Sequence, residues 1–494
     1  MFVVITLLIV LTIIIYINFI GKYNEKYWKK RGVKLYEDNK ILGIYWKLLT
    51  KNRALFLQLS DIYKQYAGDP AVGVASLFTP TLYVIDPENV HHVMHTDFPA
   101  FNHRGFIVNE DDPLSDSILQ MNGVRWKLMR QNMTPLFTSA KLKNMFYIIE
   151  KSSRDFVEYL KQNPDKLKGD TYNTLTIFCC KAIGATVFGI DTKPEIISPF
   201  FKAIRDSFRP SLWNSTRYTI MMASPRLFTL LRLKQLATFK TFFINAIKQI
   251  LRRREQENSR KYDFADICVS IQQRGMMTDQ DTGYELVPTD ELLAAQGFFF
   301  FSAGVEPIAT AIFSVLIQLG KHLDILQRVQ LEIDEIYRKY DGQISYDAII
   351  ETEYLDKVIN ESLRLHTPIN FIIRHCERES VLPVGNIKVE KGTKLYLPIR
   401  DFHLDPKYFP NPHTFDPERN LIQHGSETVY IPFGKGPRGC IGVRYARLQM
   451  KTALVHLLQH FNVKTITNEK QPSFICDIFQ LRFKNIDVKL SARI

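Results

Sequence analysis

One cysteine lies in a glycine-rich segment of this sequence. Residues 430–443 read YIPFGKGPRGCIGV, in which the cysteine is Cys440. Apolar residues then recur three or four positions apart from 443 to 461, which predicts a helix that begins directly after the cysteine. The free N–H groups and positive dipole end of that helix favour an anion, and Arg438 adds positive charge. Because such surroundings lower the pKa of a thiol, we predict that Cys440 is a thiolate that acts as a metal ligand or a nucleophile.

The same segment also matches a nucleotide-binding pattern, which we reject. Gly434, Gly436 and Gly439 satisfy G-x-G-x-x-G, the dinucleotide fingerprint. That fingerprint needs a βαβ unit and an acidic residue about 20 positions later, whereas the first acid after the loop is Glu469. A kinase loop is excluded as well, because the H-R-D and D-F-G motifs and the strand lysine do not occur in order.

The cysteine loop resembles the haem-binding signature of the cytochrome P450 family, F-x-x-G-x-R-x-C-x-G, from Phe433 to Gly442. An E-x-x-R pair alone carries little information, because any helix surface can hold one. Four further segments resemble family motifs in the family order: 126–130 (W-x-x-x-R), 303–306 (A-G-x-E), 361–364 (E-x-x-R) and 417–419 (P-E-R). The resemblance covers about residues 30–490. It is to the microsomal, reductase-dependent type, in the style of the insect xenobiotic-metabolising branch.

The resemblance implies a fold and a cofactor. The fold would be mostly α with small β-sheets (α+β), as a single large haem domain behind an N-terminal transmembrane anchor. The cofactor would be haem b, with the Cys440 thiolate as the iron ligand, because thiolate favours O–O cleavage. Guanidinium groups suit the haem propionates, since two parallel N–H bonds fit one carboxylate. The residues implied to bind the cofactor are Cys440, Arg438, Trp126, Arg130, Arg374 and Phe433. The E-x-x-R pair and Arg419 are implied to support the haem structurally.

The helix implied to lie opposite the cysteine departs from the family pattern. Residues 303–307 read AGVEP, with proline where the family has a threonine that helps to deliver protons. Pro307 has no hydroxyl and lacks the N–H that would bond the Ala303 carbonyl, so we expect a kink. The resemblance implies Glu306 as a catalytic acid, and Thr310, one turn later, as a lesser substitute that supports an ordered water. Oxygenation through Glu306 and water, or a reaction that needs no dioxygen, both stay open.

The N-terminus predicts a membrane anchor. Residues 2–20 carry no charge, and a helix of that length covers about 28 Å, close to the ~30 Å hydrocarbon core. Seven Lys/Arg against three acids follow between 21 and 40, which keeps that flank cytosolic. We predict a transmembrane signal anchor at 1–20, a basic linker at 21–50 and a cytosolic haem-thiolate catalytic domain at 51–494. The protein would be single-pass in the endoplasmic reticulum membrane. The usual proline-rich hinge after the anchor is missing.

Composition excludes several other classes of protein. Hydrophobic residues at 46% and charged residues at 23% are ordinary globular values, which disfavours a disordered chain or a multi-span transporter. Six cysteines without a C-x-x-C pair disfavour a disulfide scaffold and a structural zinc site. The net charge of +13 suits an anionic membrane or an acidic partner. With no supporting motif, we predict no nucleic-acid partner.

Electrons and substrate must both come from outside this chain. No flavin or nicotinamide site is found, so the resemblance implies NADPH–cytochrome P450 reductase as the partner, with cytochrome b5 as a second donor. The acidic face of the reductase would meet basic residues on the cysteine side: Arg125, Lys127, Lys435, Arg444 and Arg447. The segments implied to line a substrate pocket are 106–108, 208–222, 298–302, 369–373 and 475–479. They are rich in Phe and Ile, which favours a lipophilic small molecule.

Three functions are therefore carried forward. The first is a haem-thiolate monooxygenase that oxidises a lipophilic small molecule with dioxygen and electrons from NADPH through the reductase. The second, motivated by Pro307, is a haem-thiolate dehydratase or isomerase that needs no dioxygen activation. The third is a haem protein that binds a ligand without turnover.

Overall fold

The computed structural model describes residues 2–50, 53–189, 202, 211–257, 263–469 and 472–493, apart from 78, 107, 110, 235, 237–239, 423–425 and 479. Helices dominate these residues. They are α1 Phe2–Lys29, α2 Tyr45–Thr50, α3 Leu55–Gln65, α4 Pro87–His91, α5 Gly123–Met133, α6 Ser139–Gln162, α7 Thr171–Phe188, α8 Leu212–Ala223, α9 Pro225–Leu230, α10 Lys240–Gln256, α11 Phe264–Arg274, α12 Asp290–Leu319, α13 Leu323–Lys339, α14 Tyr346–Ile350, α15 Glu353–Leu365, α16 Arg400–His403 and α17 Val443–His460.

The strands form small separate sheets. A four-stranded sheet has the order β1-β2-β8-β5, in which β2 and β8 are parallel and the other pairs are antiparallel. Two-stranded sheets pair β9 with β12, β10 with β11, β3 with β4 and β6 with β7. The strands are β1 Ala71–Val74, β2 Thr81–Val84, β3 Met277–Thr278, β4 Glu285–Leu286, β5 Phe371–His375, β6 Ser380–Leu382, β7 Ile387–Val389, β8 Lys394–Pro398, β9 Phe461–Thr467, β10 Ser473–Phe474, β11 Phe483–Lys484 and β12 Ile486–Ala492. The predicted mostly helical fold with small sheets is confirmed.

Helix α12 lies at the centre of the largest hydrophobic core. Helices α7, α10, α15 and α17 pack around it. A Cβ on Gly304 would lie 2.7 Å from Ile183 Cδ1, so glycine is what allows α12 and α7 to approach this closely. By length and hydropathy α12 could cross a membrane, but 83% of its most apolar window is buried by protein. Among the described residues it therefore packs as a core helix.

Pro307 does not end this helix. Residues on both sides of it belong to one continuous helix from Asp290 to Leu319. The kink expected at this position stays a prediction. Proline removes one backbone hydrogen bond and crowds the preceding turn. Because α12 is enclosed by neighbouring helices, the surrounding packing holds it together across that position.

Helix α1 runs without interruption from the apolar N-terminal segment onto the folded body. It crosses the predicted boundary between anchor and linker and continues to Lys29. Trp28 is buried against Gly73 of β1, where a Cβ would lie 2.5 Å from the indole ring. Asn24 Nδ2 donates hydrogen bonds to the carbonyls of Lys40 and Leu77 at 2.9 and 3.0 Å. The turns of α1 that precede these contacts instead carry large exposed apolar side chains: Leu11, Ile15, Tyr16 and Phe19.

Candidate active site

A cavity of about 500 Å³ lies between α12 and the loop that precedes α17. This volume is within the range of sites that bind small molecules and cofactors. Glu306 and Pro307 of α12 line it, whereas Thr310 does not. The structure brings to the same wall all the residues that the sequence assigned to the cofactor: Cys440, Arg438, Trp126, Arg130, Arg374 and Phe433.

A tight loop presents Cys440 to this cavity, three residues before α17 begins at Val443. The Cys440 N–H donates to the Phe433 carbonyl at 2.9 Å, which turns the chain back on itself. Gly436 has a φ of 73°, and a Cβ there would overlap the Met94 carbonyl oxygen. Both facts require glycine at that position, because other residues rarely adopt this conformation and none would fit.

The Cys440 side chain is accessible, but its accessible surface belongs to the cavity wall and protein encloses it. Burial raises the pKa of the thiol, while the Gly442 N–H and the charges of Arg130 and Arg104 oppose that rise. The predicted lowering of the thiol pKa is therefore wrong, because desolvation outweighs the nearby charges. A metal ion deprotonates a coordinating thiol outright, so a role as an iron ligand does not require a low intrinsic pKa.

Four arginines beside the cavity form a cationic cluster: Arg104, Arg130, Arg374 and Arg438. In the part of the chain that the structure describes, none of them has a carboxylate within ion-pair distance. Arg438 Nη2 donates to the Met121 carbonyl at 2.5 Å, and Arg104 Nη2 to the Arg438 carbonyl at 2.8 Å. Arg374 Nη1 donates only to the adjacent Ile373 carbonyl, at 2.8 Å. The Nε atoms of Arg104, Arg374 and Arg438 lack a partner among the described residues.

The electrostatics of this cluster indicate an anionic ligand. Burial, reinforced by the neighbouring arginines, lowers the pKa of Arg438 to about 7 and that of Arg104 to about 10. The same causes lower the pKa of Arg374. Arg374 and Arg438 are buried, and a buried charge without compensation is costly. The half-buried Arg104 and Arg130 beside them add repulsion. The two propionates of haem b supply the missing negative charge, and guanidinium groups bind carboxylates bidentately. The residues present therefore fit haem, with Cys440 on the same wall.

Trp126 and Arg104 show how the cluster is arranged. The Trp126 ring centroid is 4.4 Å from the Arg438 guanidinium carbon, a cation–π contact that fixes the orientation of Arg438. Sequence reasoning missed Arg104, which lies outside the motifs. The one indication in the sequence is that Arg104 lies two residues before Phe106, where a segment implied to line the pocket begins.

The E-x-x-R pair supports the cysteine loop from behind. Arg364 Nε and Nη2 each donate to Glu361 at 2.8 Å, and Arg419 Nε adds a third bond at 3.2 Å. The remaining donors of Arg364 are used by the carbonyls of His403, Pro412 and Thr414. Because both charges are fully buried and fully hydrogen-bonded, the pair is structural, as the sequence suggested. His403 Nε2 in turn accepts the Ile431 N–H of the cysteine loop at 3.0 Å.

Glu306 lines the cavity, and its carboxylate contacts other polar side chains. Its Oε2 accepts a hydrogen bond from the Tyr172 hydroxyl at 2.9 Å and lies 3.2 Å from Arg482 Nη2. The Tyr172 hydroxyl also lies 3.2 Å from Thr310 Oγ1. Thr310 is thus linked to the acid through tyrosine and faces away from the cavity. Arg482 and Tyr172 had no sequence signal, because 176 and 134 positions separate them from Glu306.

The rest of the cavity lining is largely apolar. Every segment that the sequence assigned to a substrate pocket contributes to it, although 107, 208–210 and 479 lie outside the described residues. Of the four phenylalanines at 298–301, three line the cavity, while Phe301 packs against Phe188 and Phe243. The lining residues from the five segments include Phe106, Met221, Phe298, Phe299, Phe300, Ile369, Ile372 and Ile478.

The cysteine loop, the cluster of four arginines and helix α12 all line one cavity, which is the arrangement expected of a haem-thiolate protein. Comparison with known proteins agrees with this class. The family model described as Cytochrome P450 matches residues 38–490. Cytochrome P450 6a2 of Drosophila melanogaster is 31% identical over 96% of this chain and 96% of its own length. Cytochrome P450 6B7 of Helicoverpa armigera is 30% identical over 93% and 92%, and Cytochrome P450 9e2 of Blattella germanica is 30% identical over 92% and 91%.

The chain therefore belongs to the cytochrome P450 family. Its relatives place it with the insect members of the xenobiotic-metabolising type. It is a haem-thiolate monooxygenase, an oxidoreductase whose cofactor is haem b. These comparisons favour the first of the three functions carried forward from the sequence over a dehydratase, an isomerase or a protein without turnover.

Proposed function

We propose that this enzyme inserts one oxygen atom from dioxygen into a lipophilic small molecule, using electrons from NADPH. The cavity carries the proposal, since its lining joins an apolar, phenylalanine-rich part to the wall that presents Cys440. An apolar molecule bound there loses contact with water, which stabilises it by about 25 cal/mol per Å² of buried apolar surface. The haem, when bound, supplies the oxygen chemistry.

Each wall of the cavity has a separate task in this proposal. Cys440 would ligate the iron, and the four arginines would hold the propionates and fix the plane of the cofactor. On the opposite wall, Glu306 would hold and transfer a proton at its carboxylate, with an ordered water in place of the hydroxyl that Pro307 lacks. The packed phenylalanines between them would exclude bulk water.

We further propose that a reductase docks on the cysteine side, through fewer basic residues than the sequence suggested. Lys127 pairs with Asp279 and Asp281 at 2.7 and 2.6 Å, and Arg125 pairs with Asp116. Arg447 is shared between Asp356 and Asn360. Arg444 is exposed and makes no ion pair with the described part of the chain, and Lys435 binds only the Glu427 carbonyl. The charges of Lys435 and Arg444 are thus not compensated by an ion pair with the described residues and are available to an acidic partner.

Charge reversal tests this face. We expect Lys435→Glu and Arg444→Glu to raise the KM for the reductase at low salt and to weaken its dependence on ionic strength, because steering by charge is screened by salt. Lys127→Glu is the matched control and should leave both values near those of the unaltered enzyme. Equal effects at Lys127 and Lys435 would argue against the face, and the same titration with cytochrome b5 would show whether that donor shares it.

We propose that α1 anchors the enzyme in the endoplasmic reticulum membrane, with the catalytic domain in the cytosol. The exposed apolar side chains of Leu11, Ile15 and Phe19 support a lipid contact, since exposed apolar surface of this kind marks an interaction site. The basic residues that follow, from Lys22 to Lys40, favour a cytosolic position. Membrane extraction by carbonate, with the chain retained in the pellet, would be the expected result.

The activity has a direct test. The reduced, haem-loaded protein should show the red-shifted Soret band of a carbon monoxide complex with a thiolate ligand, and Cys440→His should lose it. Product formation from an apolar substrate panel should require NADPH, reductase and dioxygen together. Turnover that consumes no dioxygen would contradict the proposal in favour of a dehydratase or isomerase, and spectral shifts on ligand binding without any product would contradict enzymatic activity.

A further inference from the structure

Arg482 connects the acid of α12 to a loop on another part of the chain. Its Nη2 lies 3.2 Å from Glu306 Oε2, and its Nε lies 3.0 Å from Asp477 Oδ2. One guanidinium group therefore bridges two carboxylates from separate elements. All three side chains line the cavity.

Arg482 and Asp477 lie between β10 and β11, and hydrogen bonds hold the described residues of this loop. The Ile475 N–H donates to the Arg482 carbonyl at 2.9 Å, which closes the loop on itself. The Gln480 N–H donates to Asp477 Oδ1 at 2.9 Å, and the Leu481 N–H to the Pro368 carbonyl at 3.0 Å. Cys476, Ile478 and Gln480 of this loop also line the cavity. A molecule in the apolar part of the cavity would therefore touch the element that holds Arg482.

The charge of Arg482 is the one cation that the described residues place against Glu306. Burial alone would lower the pKa of Arg482, but the carboxylates of Glu306 and Asp477 outweigh it and raise that pKa. Burying a carboxylate charge costs free energy unless a cation or a hydrogen-bond donor compensates it, and Glu306 is 5% exposed. The Tyr172 hydroxyl completes the arrangement by donating to the same oxygen of Glu306.

We propose that Arg482 is the positioning residue for Glu306. It keeps the carboxylate ionised and fixed against Tyr172, and through its bond to Asp477 it links Glu306 to cavity-lining residues of its own loop, so that a substrate bound against them changes how Glu306 is held. The inference rests on the proposed role of Glu306 in proton transfer. It adds the residue that controls that role and the part of the substrate pocket that senses occupancy.

Infrared spectroscopy tests the ionisation directly in the haem-loaded enzyme. Arg482→Gln should introduce the C=O absorption of a protonated carboxyl group near neutral pH, and the double variant Arg482→Gln, Glu306→Gln should lack it. Arg482→Lys keeps the charge and should show no such band. If Arg482→Gln shows no protonated carboxyl that depends on Glu306, the inference is wrong.

The link to the loop has its own measurement. Substrate addition should shift the carboxylate bands that Glu306→Gln removes, and Asp477→Asn should diminish the shift, because one of the two contacts that hold the Arg482 guanidinium is then lost. An undiminished shift in Asp477→Asn would overturn this part of the inference. The variant retains the loop contact through Arg482 itself, so the comparison stands even if Arg482→Gln folds poorly.

Coupling of NADPH to product separates this inference from the proposed function. We expect Arg482→Gln to consume about tenfold more NADPH per product and to recover coupling as the pH rises, which a purely structural defect would not do. Arg493→Gln is the matched control, since Arg493 pairs with Asp334 outside the cavity. If Glu306→Gln leaves coupling unchanged, the proposed role of Glu306 fails; if it uncouples while the Arg482 variants show no pH dependence, only the inference fails.

Discussion

A buried arginine beside the cavity can destabilise the protein without its cofactor and stabilise the cofactor when it is bound. Arg374 is almost fully buried, with one hydrogen bond to its own neighbour and no carboxylate among the described residues. Its charge therefore costs free energy in the protein alone and is repaid when an anion binds beside it. Arg374, with one hydrogen bond and no carboxylate partner among the described residues, thus indicates an anionic ligand.

Replacing Arg374 should loosen the haem. A hydrogen bond to a charged group contributes about 1.5–3 kcal/mol, so Arg374→Gln is expected to release haem roughly tenfold to a hundredfold faster. Transfer of haem to apomyoglobin, followed by absorbance, measures that rate. Arg125→Gln is the control, because Arg125 is paired with Asp116. Indistinguishable rates for the two variants would argue against the assignment of the cluster to the propionates.

The sequence predicted those side chains whose role is written into a local motif. Cys440 and Arg438 were found because their neighbours in the chain fix their geometry. Arg104 and Arg482 were not, because each reaches the site through tertiary contacts that no spacing encodes. The thiol pKa of Cys440 was predicted with the wrong sign, since local charges can be counted from the sequence and burial cannot.

Helix α12 supplies the next level of organisation, because it carries both the acid and the proline. Pro307→Thr returns a backbone N–H and adds a hydroxyl on the cavity wall beside Glu306. We expect a gain of up to about 3 kcal/mol in the free energy of unfolding and tighter coupling of NADPH to product. Pro307→Ala returns the N–H alone, so it should gain stability without the gain in coupling. If the two variants couple equally, water and Glu306 already suffice.

Helix α16 ends in a buried histidine that supports the cysteine loop. Burial lowers the pKa of His403 to about 3, and its Nε2 accepts the Ile431 N–H. As the pH falls, the His403 imidazole is protonated near pH 6.5 in the unfolded chain but only near pH 3 in the folded chain. Stability from this group is therefore complete above pH 6.5 and falls by about 1.4 kcal/mol per pH unit as the pH drops through that window. The loop that presents Cys440 is thus expected to weaken in acid.

The pH dependence of unfolding measures this effect. His403→Asn keeps an acceptor for the Ile431 N–H but cannot titrate. Its free energy of unfolding should therefore fall less steeply as the pH drops, by the slope that corresponds to one proton. Denaturant midpoints between pH 4 and 6.5 give both slopes. Equal slopes would show that His403 is not the group responsible, and His366, whose pKa burial also lowers to about 3, would be the next residue to replace.

Helices were easier to predict than the way they join. The apolar spacing after Cys440 predicted α17, which the structure confirms. The sequence of residues 21–31 gave no sign that α1 would continue onto the sheet, because the contacts of Trp28 and Asn24 depend on residues 73 and 77, far along the chain. Helix continuity and helix docking are tertiary properties.

Docking of α1 has a consequence for the entire chain, because it ties the proposed anchor to the catalytic domain. A 28-residue helix is about 42 Å long, which exceeds the ~30 Å hydrocarbon core by some eight residues. The last part of the helix contacts the domain: Tyr27 donates a hydrogen bond to Glu390, and Trp28 packs on Gly73. Arg31, two residues beyond the helix end, forms an ion pair with the same glutamate. Without a flexible hinge, the domain should therefore hold one angle to the bilayer.

Linear dichroism of the Soret band in oriented bilayers measures that angle through the haem. We expect a single well-defined tilt for the unaltered enzyme. Glu390→Ala combined with a Gly-Gly-Ser insertion after Lys30 should broaden the tilt distribution, because it removes the ion pair and the continuity of the chain together. The same insertion between Asp341 and Gly342, in the turn after α13, is the control and should leave the tilt unchanged. A tilt equally broad in all three proteins would mean that the contacts of α1 do not orient the domain, while leaving its role as an anchor intact.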